Sequence, residues 1–204
     1  MSLRPWPALR RALRASGLFL PVLLLAGCFG VLRTLPGEGP APVHVTGGPA
    51  ELVLVTVTQD GVGRHSALVI DDGTRVVYDP AGGWRDPDGL SNRDLRLAMT
   101  DARLDAWLAY HTRRGREVTM QRRAVPPATA RAAHRIAARR GAGLSGLCSR
   151  AVATLLRALP GFTDLPPAVT PVALRSAFAG LDGVTSNVVV AGGVRARGDL
   201  ATDG

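Results

Sequence analysis

The sequence predicts an α+β domain in which an antiparallel β-sheet, a meander plus later strands, packs against a cysteine-bearing helix and accessory helices. Three observations carry this. Between Glu51 and Pro80, short β-rich runs alternate with tight turns. From Thr100 onward, apolar residues recur at helical spacing in several capped stretches. The stretch Gly143–Leu159 (GLSGLCSRAVATLLRAL) leads from a Gly/Ser entry into a helix with Cys148 in its first turn.

The elements follow in order. The first strand is ELVLVTVT from Glu51, the second RHSALVI (Arg64–Ile70) and the third RVVYDP (Arg75–Pro80). Their turns fall at Gln59–Gly63 and Asp71–Thr74. Ala81–Arg93 reads as a polar Gly/Pro loop around Trp84. Thr100 caps a helix through His111, with Leu104, Trp107 and Leu108 as its apolar stripe and Gly115 as its stop. Glu117–Val125 reads as a strand, and Ala128–Arg140 as a basic helix. In the cysteine helix Val152, Leu155, Leu156 and Leu159 share a face before Pro160-Gly161 ends it. Thr170-Pro171 opens a short helix through Ala179, and Val184–Ala191 is a final strand. The domain spans residues 50–192, and 193–204 reads as a disordered tail.

The N-terminus is a separate matter. Met1–Gly17 carries four arginines and no acid, and the apolar run Leu18–Leu32 follows. These are the charged and apolar regions of an export signal, so residues 1–28 are expected to direct the domain out of the cytoplasm. Leu25-Ala26-Gly27-Cys28 resembles a bacterial lipobox, which would make Cys28 the lipidated residue. An uncleaved signal anchor and an ordinary cleaved signal remain open. Residues 29–49, rich in Pro and Gly, read as a tether with an incidental His44. The expected location is extracytoplasmic (periplasmic), anchored to the membrane through the N-terminus.

Charge narrows the partners. The 204 residues carry a formal +9, every basic residue is Arg, and Arg113–Arg150 holds ten arginines against one acid, Glu117. Export and the lack of interleaved aromatics argue against nucleic acid. An anionic membrane surface or envelope polymer fits better, and a solvated helix face equally well. Metal-spaced Cys/His clusters, a P-loop and a dinucleotide fingerprint are missing from the sequence, so no metal or cofactor is expected.

Chemistry points to the cysteine. Backbone N–H groups at a helix N-terminus favour a thiolate. If Cys28 is lipidated, Cys148 has no disulfide partner, and an exported lone thiol is either buried or used. A nucleophile needs a base and a group to orient it. His65, at the start of a strand, is the better base; His111 suits the dipole at a helix end, and His134 sits on an exposed basic helix. Asp79, which the hairpin returns to the level of His65, is the third group, with an ordinary Asp-Pro turn former as the alternative. Trp84 and Arg150 are candidate substrate contacts, within an arginine flank that includes Arg122, Arg123, Arg139 and Arg140.

The order His65-Ser-Ala-Leu-Val-Ile, then Tyr78-Asp79-Pro80-Ala81-Gly82, then a cysteine at a helix start resembles the circularly permuted papain-like proteins. These are the permuted branch of the NlpC-type peptidase superfamily, related to the lecithin:retinol acyltransferase-like enzymes. The resemblance implies a permuted papain-like fold with Cys148 as nucleophile, His65 as base and Tyr78 or Asp79 as the third polar group, depending on how the Asp71–Thr74 turn is aligned. Leu147 stands where many members carry Asn. The expected function is a membrane-tethered thiol hydrolase acting on peptidoglycan stem peptides or another envelope amide. The alternatives are a lipid acyltransferase or thioesterase with the same dyad, and a non-catalytic lipoprotein that keeps the fold as a binding module.

Overall fold

The computed structural model describes residues 43–140 and 143–191, with the backbone of Gly193–Ala196; residues 1–28, expected to be an export signal, with Cys28, and most of the expected tether lie outside the described residues. The strands are β1 (Glu51–Gln59), β2 (Val62–Asp71), β3 (Arg75–Tyr78), β4 (Ser91–Asn92), β5 (Leu95–Arg96), β6 (Glu117–Ala124), β7 (Thr185–Val190) and β8 (Gly193–Ala196). They form one antiparallel sheet in the order β4-β5-β3-β2-β1-β6-β7-β8. The helices are α1 (Asp101–His111), α2 (Pro127–Arg139), α3 (Cys148–Arg157) and α4 (Pro171–Ala179). Among the described residues, no helix is long and apolar enough to cross a membrane.

The meander forms because its turns have the right chemistry. Asp60 and Gly61 both take positive φ (52° and 74°), the pair of left-handed residues a two-residue hairpin requires. Alternation then sorts the strands. Leu52, Leu54, Leu68, Ile70 and Tyr78 face one side, where they meet Ala133 of α2, Val152, Leu155 and Leu156 of α3, and Leu174 and Phe178 of α4. Val53, Val55, Val57, Ala67, Val69 and Val77 face the other, against Trp84, Met99 and the Trp107–Leu108 face of α1. Each fully buried leucine of α3 contributes on the scale of the roughly 2–5 kcal/mol lost on Leu→Ala in a core. Thr100 and Thr170 cap α1 and α4 by accepting from the N–H of Arg103 and Ala173.

Three expectations require correction. Ala81–Arg93 is not wholly loop: Ser91–Asn92 begins an edge hairpin with Leu95–Arg96 that pairs with β3, its turn including Arg93 at φ 55°. This was hidden because two-residue strands carry no period. The tether is docked at its end, where Val45 bridges Thr74 and the Thr46 hydroxyl donates to Asp71 at 2.6 Å. The tail is not disordered from residue 193, since Gly193–Ala196 pairs with β7.

Two irregularities position the site. The β1–β2 register slips between Val57 and Thr58, which pair with His65 and Gly63, so Arg64 is an extra residue that re-aims the start of β2. The short strand β3 pairs with β2 only from Leu68 to Asp71. Upstream of Leu68, that edge of β2 is open to another part of the chain.

Candidate active site

Helix α3 occupies the open edge. Its first residue, Cys148, lies beside the Ser66 backbone N–H, and Ser66 and Ser149 join their hydroxyls at 3.2 Å in the interior. The Ser149 hydroxyl also lies 3.9 Å from Sγ of Cys148. The entry loop is fastened separately, with the Gly143 N–H donating to the Asp94 carboxylate. Leu147 takes the N-cap position with no side-chain cap. The first intrahelical bond runs from the Ala151 N–H to the Leu147 carbonyl, so the preceding N–H groups point out of the helix start.

His65 faces the same space from the bulged start of β2. Its Nε2 bonds Oδ1 of Asp79 at 2.6 Å, which leaves Nδ1 as the nitrogen available to the neighbouring Cys148 thiol, whose proximity helps raise the His65 pKa. Extending the Leu68–Tyr78 register by one residue sets Asp79 opposite Ala67, on the His65 face. Asp79 is fully buried, and its Oδ2 accepts from Trp107 Nε1 (3.2 Å) and the Arg96 guanidinium (3.3 Å). Gly82 closes over it: a Cβ there would overlap the carboxylate.

The electrostatics follow from these contacts. Burial alone would raise the Asp79 pKa, but the hydrogen bond and charge of His65, with the Arg96 charge, hold it down at about 2. Burial alone would lower that of His65, but hydrogen bonds to Asp79 and Cys148, and their charges, push it up to about 9. Burial would raise the Cys148 thiol; the His65 hydrogen bond and charge, then the Ser66 N–H and Ser149 hydroxyl, bring it down to about 7. A thiolate–imidazolium pair is therefore favoured around neutral pH.

Of the residues singled out in the sequence, Cys148, His65 and Asp79 come together. Tyr78 does not: alternation sends it to the opposite face, where it is 2% exposed in the core with its pKa raised by burial. Trp84 is no open platform, being 8% exposed and packed in the other core cluster. Arg150 is exposed in the first turn of α3. The arginine flank is also divided. Arg122 pairs with Glu51 at 2.6 Å, and Arg123 donates to the Gly161 and Asp182 carbonyls. His134 is not free on its helix but bonds Asp72 at 3.1 Å.

Sequence reasoning missed Arg96, Trp107, Gly82, Ser149 and His111. The His111 ring, 3% exposed, lies 5.3 Å from that of His65 and within 6° of parallel, held at its edges by Trp107 and Tyr110. Burial, then the His65 charge, lowers its pKa to about 3. Only its i+4 spacing from Trp107 on a buried helix face was there to be read. Comparison of the chain with protein-family models, curated proteins and solved structures finds no match, so the site's geometry is the ground for its chemistry.

Proposed function

We propose that this protein is a thiol hydrolase of permuted papain-like architecture, exported and tethered to the membrane, that cleaves an amide in peptidoglycan stem peptides or a related envelope substrate. The observation that supports it is the convergence of the Cys148 thiol and the His65 imidazole on the buried Asp79 carboxylate, with His65 Nε2 on Asp79 Oδ1 at 2.6 Å and the thiol pKa brought down by His65. Cys148 Sγ, as thiolate, attacks the substrate carbonyl carbon. The C=O electron pair moves onto oxygen, where the outward N–H groups at the start of α3, that of Cys148 included, are placed to receive the charge. The tetrahedral intermediate collapses to a thioester as His65 Nδ1 gives its proton to the leaving nitrogen. Water, deprotonated by the now neutral His65, attacks the thioester and releases the carboxylic acid and the thiolate. Asp79 holds the tautomer with the proton on Nε2 and stabilises the imidazolium between steps.

The test is turnover of stem-peptide substrates by the wild type, Cys148→Ala and His65→Ala, with mass spectrometry of the trapped acyl-enzyme. A peptidyl adduct on Cys148, with both variants inactive but folded, supports the reading. A fatty acyl adduct would replace it with lipid acyl transfer, and activity retained in Cys148→Ala would reject it.

A further inference from the structure

His111 poses a question that the hydrolase mechanism leaves open. Its ring is buried at 3% exposure, yet among the described residues neither Nδ1 nor Nε2 has a hydrogen-bond partner. An orphaned polar atom costs about 1–3 kcal/mol where water cannot reach it, so two on one ring need a reason. A phenylalanine would make the same stack on His65 without that cost. The reason lies in what the ring faces. One ligating atom each from His65, Asp79 and His111 lies within 4.8 Å of the other two.

We propose that His65, Asp79 and His111 form an inhibitory zinc site that switches the cysteine–histidine pair off. Two imidazoles and a carboxylate are a donor set that zinc accepts, with water as fourth ligand. Ligand atoms in such a tetrahedron stand about 3.4 Å apart, so loading opens the 2.6 Å His65–Asp79 contact, draws His111 in by at most about 1.4 Å and turns its ring so that the ion lies in the plane of each imidazole. The outer partners are already present: Asp79 Oδ2 is held by Trp107 and Arg96, leaving Oδ1 for the metal. His65 is the entry, its side chain being 13% exposed where Asp79 is sealed. Zinc on Nε2 displaces the proton that Nε2 shares with Asp79, and this proton leaves to solvent. The imidazole then keeps its remaining proton on Nδ1, the nitrogen that faces sulfur. With Nε2 coordinated, that ring can neither accept a proton from water nor readily give its last one to a leaving nitrogen, so the thiolate is left without an acid or a base to complete the reaction.

This regulation rests on the hydrolase reading, but the site itself is tested without turnover. Zinc binding to full-length Cys148→Ala is measured by calorimetry and by competition with a chromophoric chelator, with Cys148→Ala/His111→Phe alongside. His111→Phe keeps the ring volume and the stack, and circular dichroism checks its fold. One equivalent of zinc is expected on Cys148→Ala, weakened at least ~10-fold by His111→Phe, the lower bound for losing even an outer partner. Proton–nitrogen spectra of the histidines should show His65 and His111 shifting together while His134 stays in place. Binding that needs Cys148 and ignores His111 would put zinc on the sulfur and overturn the proposal, as would no stoichiometric binding to Cys148→Ala. If zinc binds as expected and no hydrolysis is found, the hydrolase reading fails and the metal site stands.

Discussion

His65 and Asp79 meet at 2.6 Å because β3 is only four residues long. Asp79 is the first residue beyond its ladder, still on the face that strand alternation assigns, and diagonal to the bulged start of β2. The same early end to β3 leaves the Ser66 N–H for Cys148. One short strand thus orients the base and admits the nucleophile.

The thiol should titrate with its partner. Iodoacetamide labelling of Cys148 is expected to rise around pH 7, and His65→Ala should move the midpoint to that of a free thiol, about 8.5. Hydrolysis should follow a bell bounded by apparent values near 7 and 9, since the pair needs sulfur deprotonated and imidazole protonated. A midpoint unchanged in His65→Ala would show that the imidazole does not act on the sulfur.

Asp79→Asn and Asp79→Ala should separate orientation from packing. Asn keeps the shape but removes the charge facing His65, so kcat should fall about 100-fold or more while the fold holds. Both remove the charge facing Arg96, but Ala also removes the acceptor that Arg96 and Trp107 share, and should lose about 3–5 kcal/mol in urea unfolding, more than Asn. Equal stability for the two variants would contradict this.

Gly82→Ala is expected to act on the carboxylate alone. Its methyl group occupies the Asp79 oxygens, so Asp79 must swing away from His65. Activity should drop at least ~10-fold, and the labelling midpoint of Cys148 should rise, with Ser66 and Ser149 unaffected. Activity equal to wild type would mean that the loop shifts instead.

Acid stability should carry the signature of Asp79. Its folded pKa, about 2, lies below the ordinary 3.8, so its contribution is complete above about pH 4 and lost as pH falls through 2. That portion is roughly 2–3 kcal/mol by linkage. Urea midpoints measured from pH 5 to 2 should decline in the wild type, and Asp79→Asn should lack this part of the slope.

How much of this was legible follows from range. The meander, the capped helices and the order His65, Asp79, Cys148 stand in local pattern: turn residues, caps and periodicity. The choice between Asp79 and Tyr78 did not, because parity on the sheet depends on where the bulge falls, and Arg64 gives no sign of being the extra residue. Arg96 and Trp107 reach Asp79 from an edge hairpin and a helix that only tertiary packing brings over it. His111 reads like any histidine at a helix end until its burial is known. The ten arginines of Arg113–Arg150 read as one patch because sequence has no depth, and folding spends Arg122 and Arg123 on structural contacts.

The hairpin that joins His65 to Asp79 has a consequence for how reactivity is acquired. Acid and base sit 14 positions apart on neighbouring strands, a loop that closes quickly and at low entropic cost. Sulfur comes from 83 positions away, as the Ser66–Ser149 separation records, and docks only once the sheet exists to receive it. A chain not yet folded therefore carries a thiol that is mostly protonated at neutral pH, and the shift toward thiolate comes only when helix and strand bring sulfur and imidazole together.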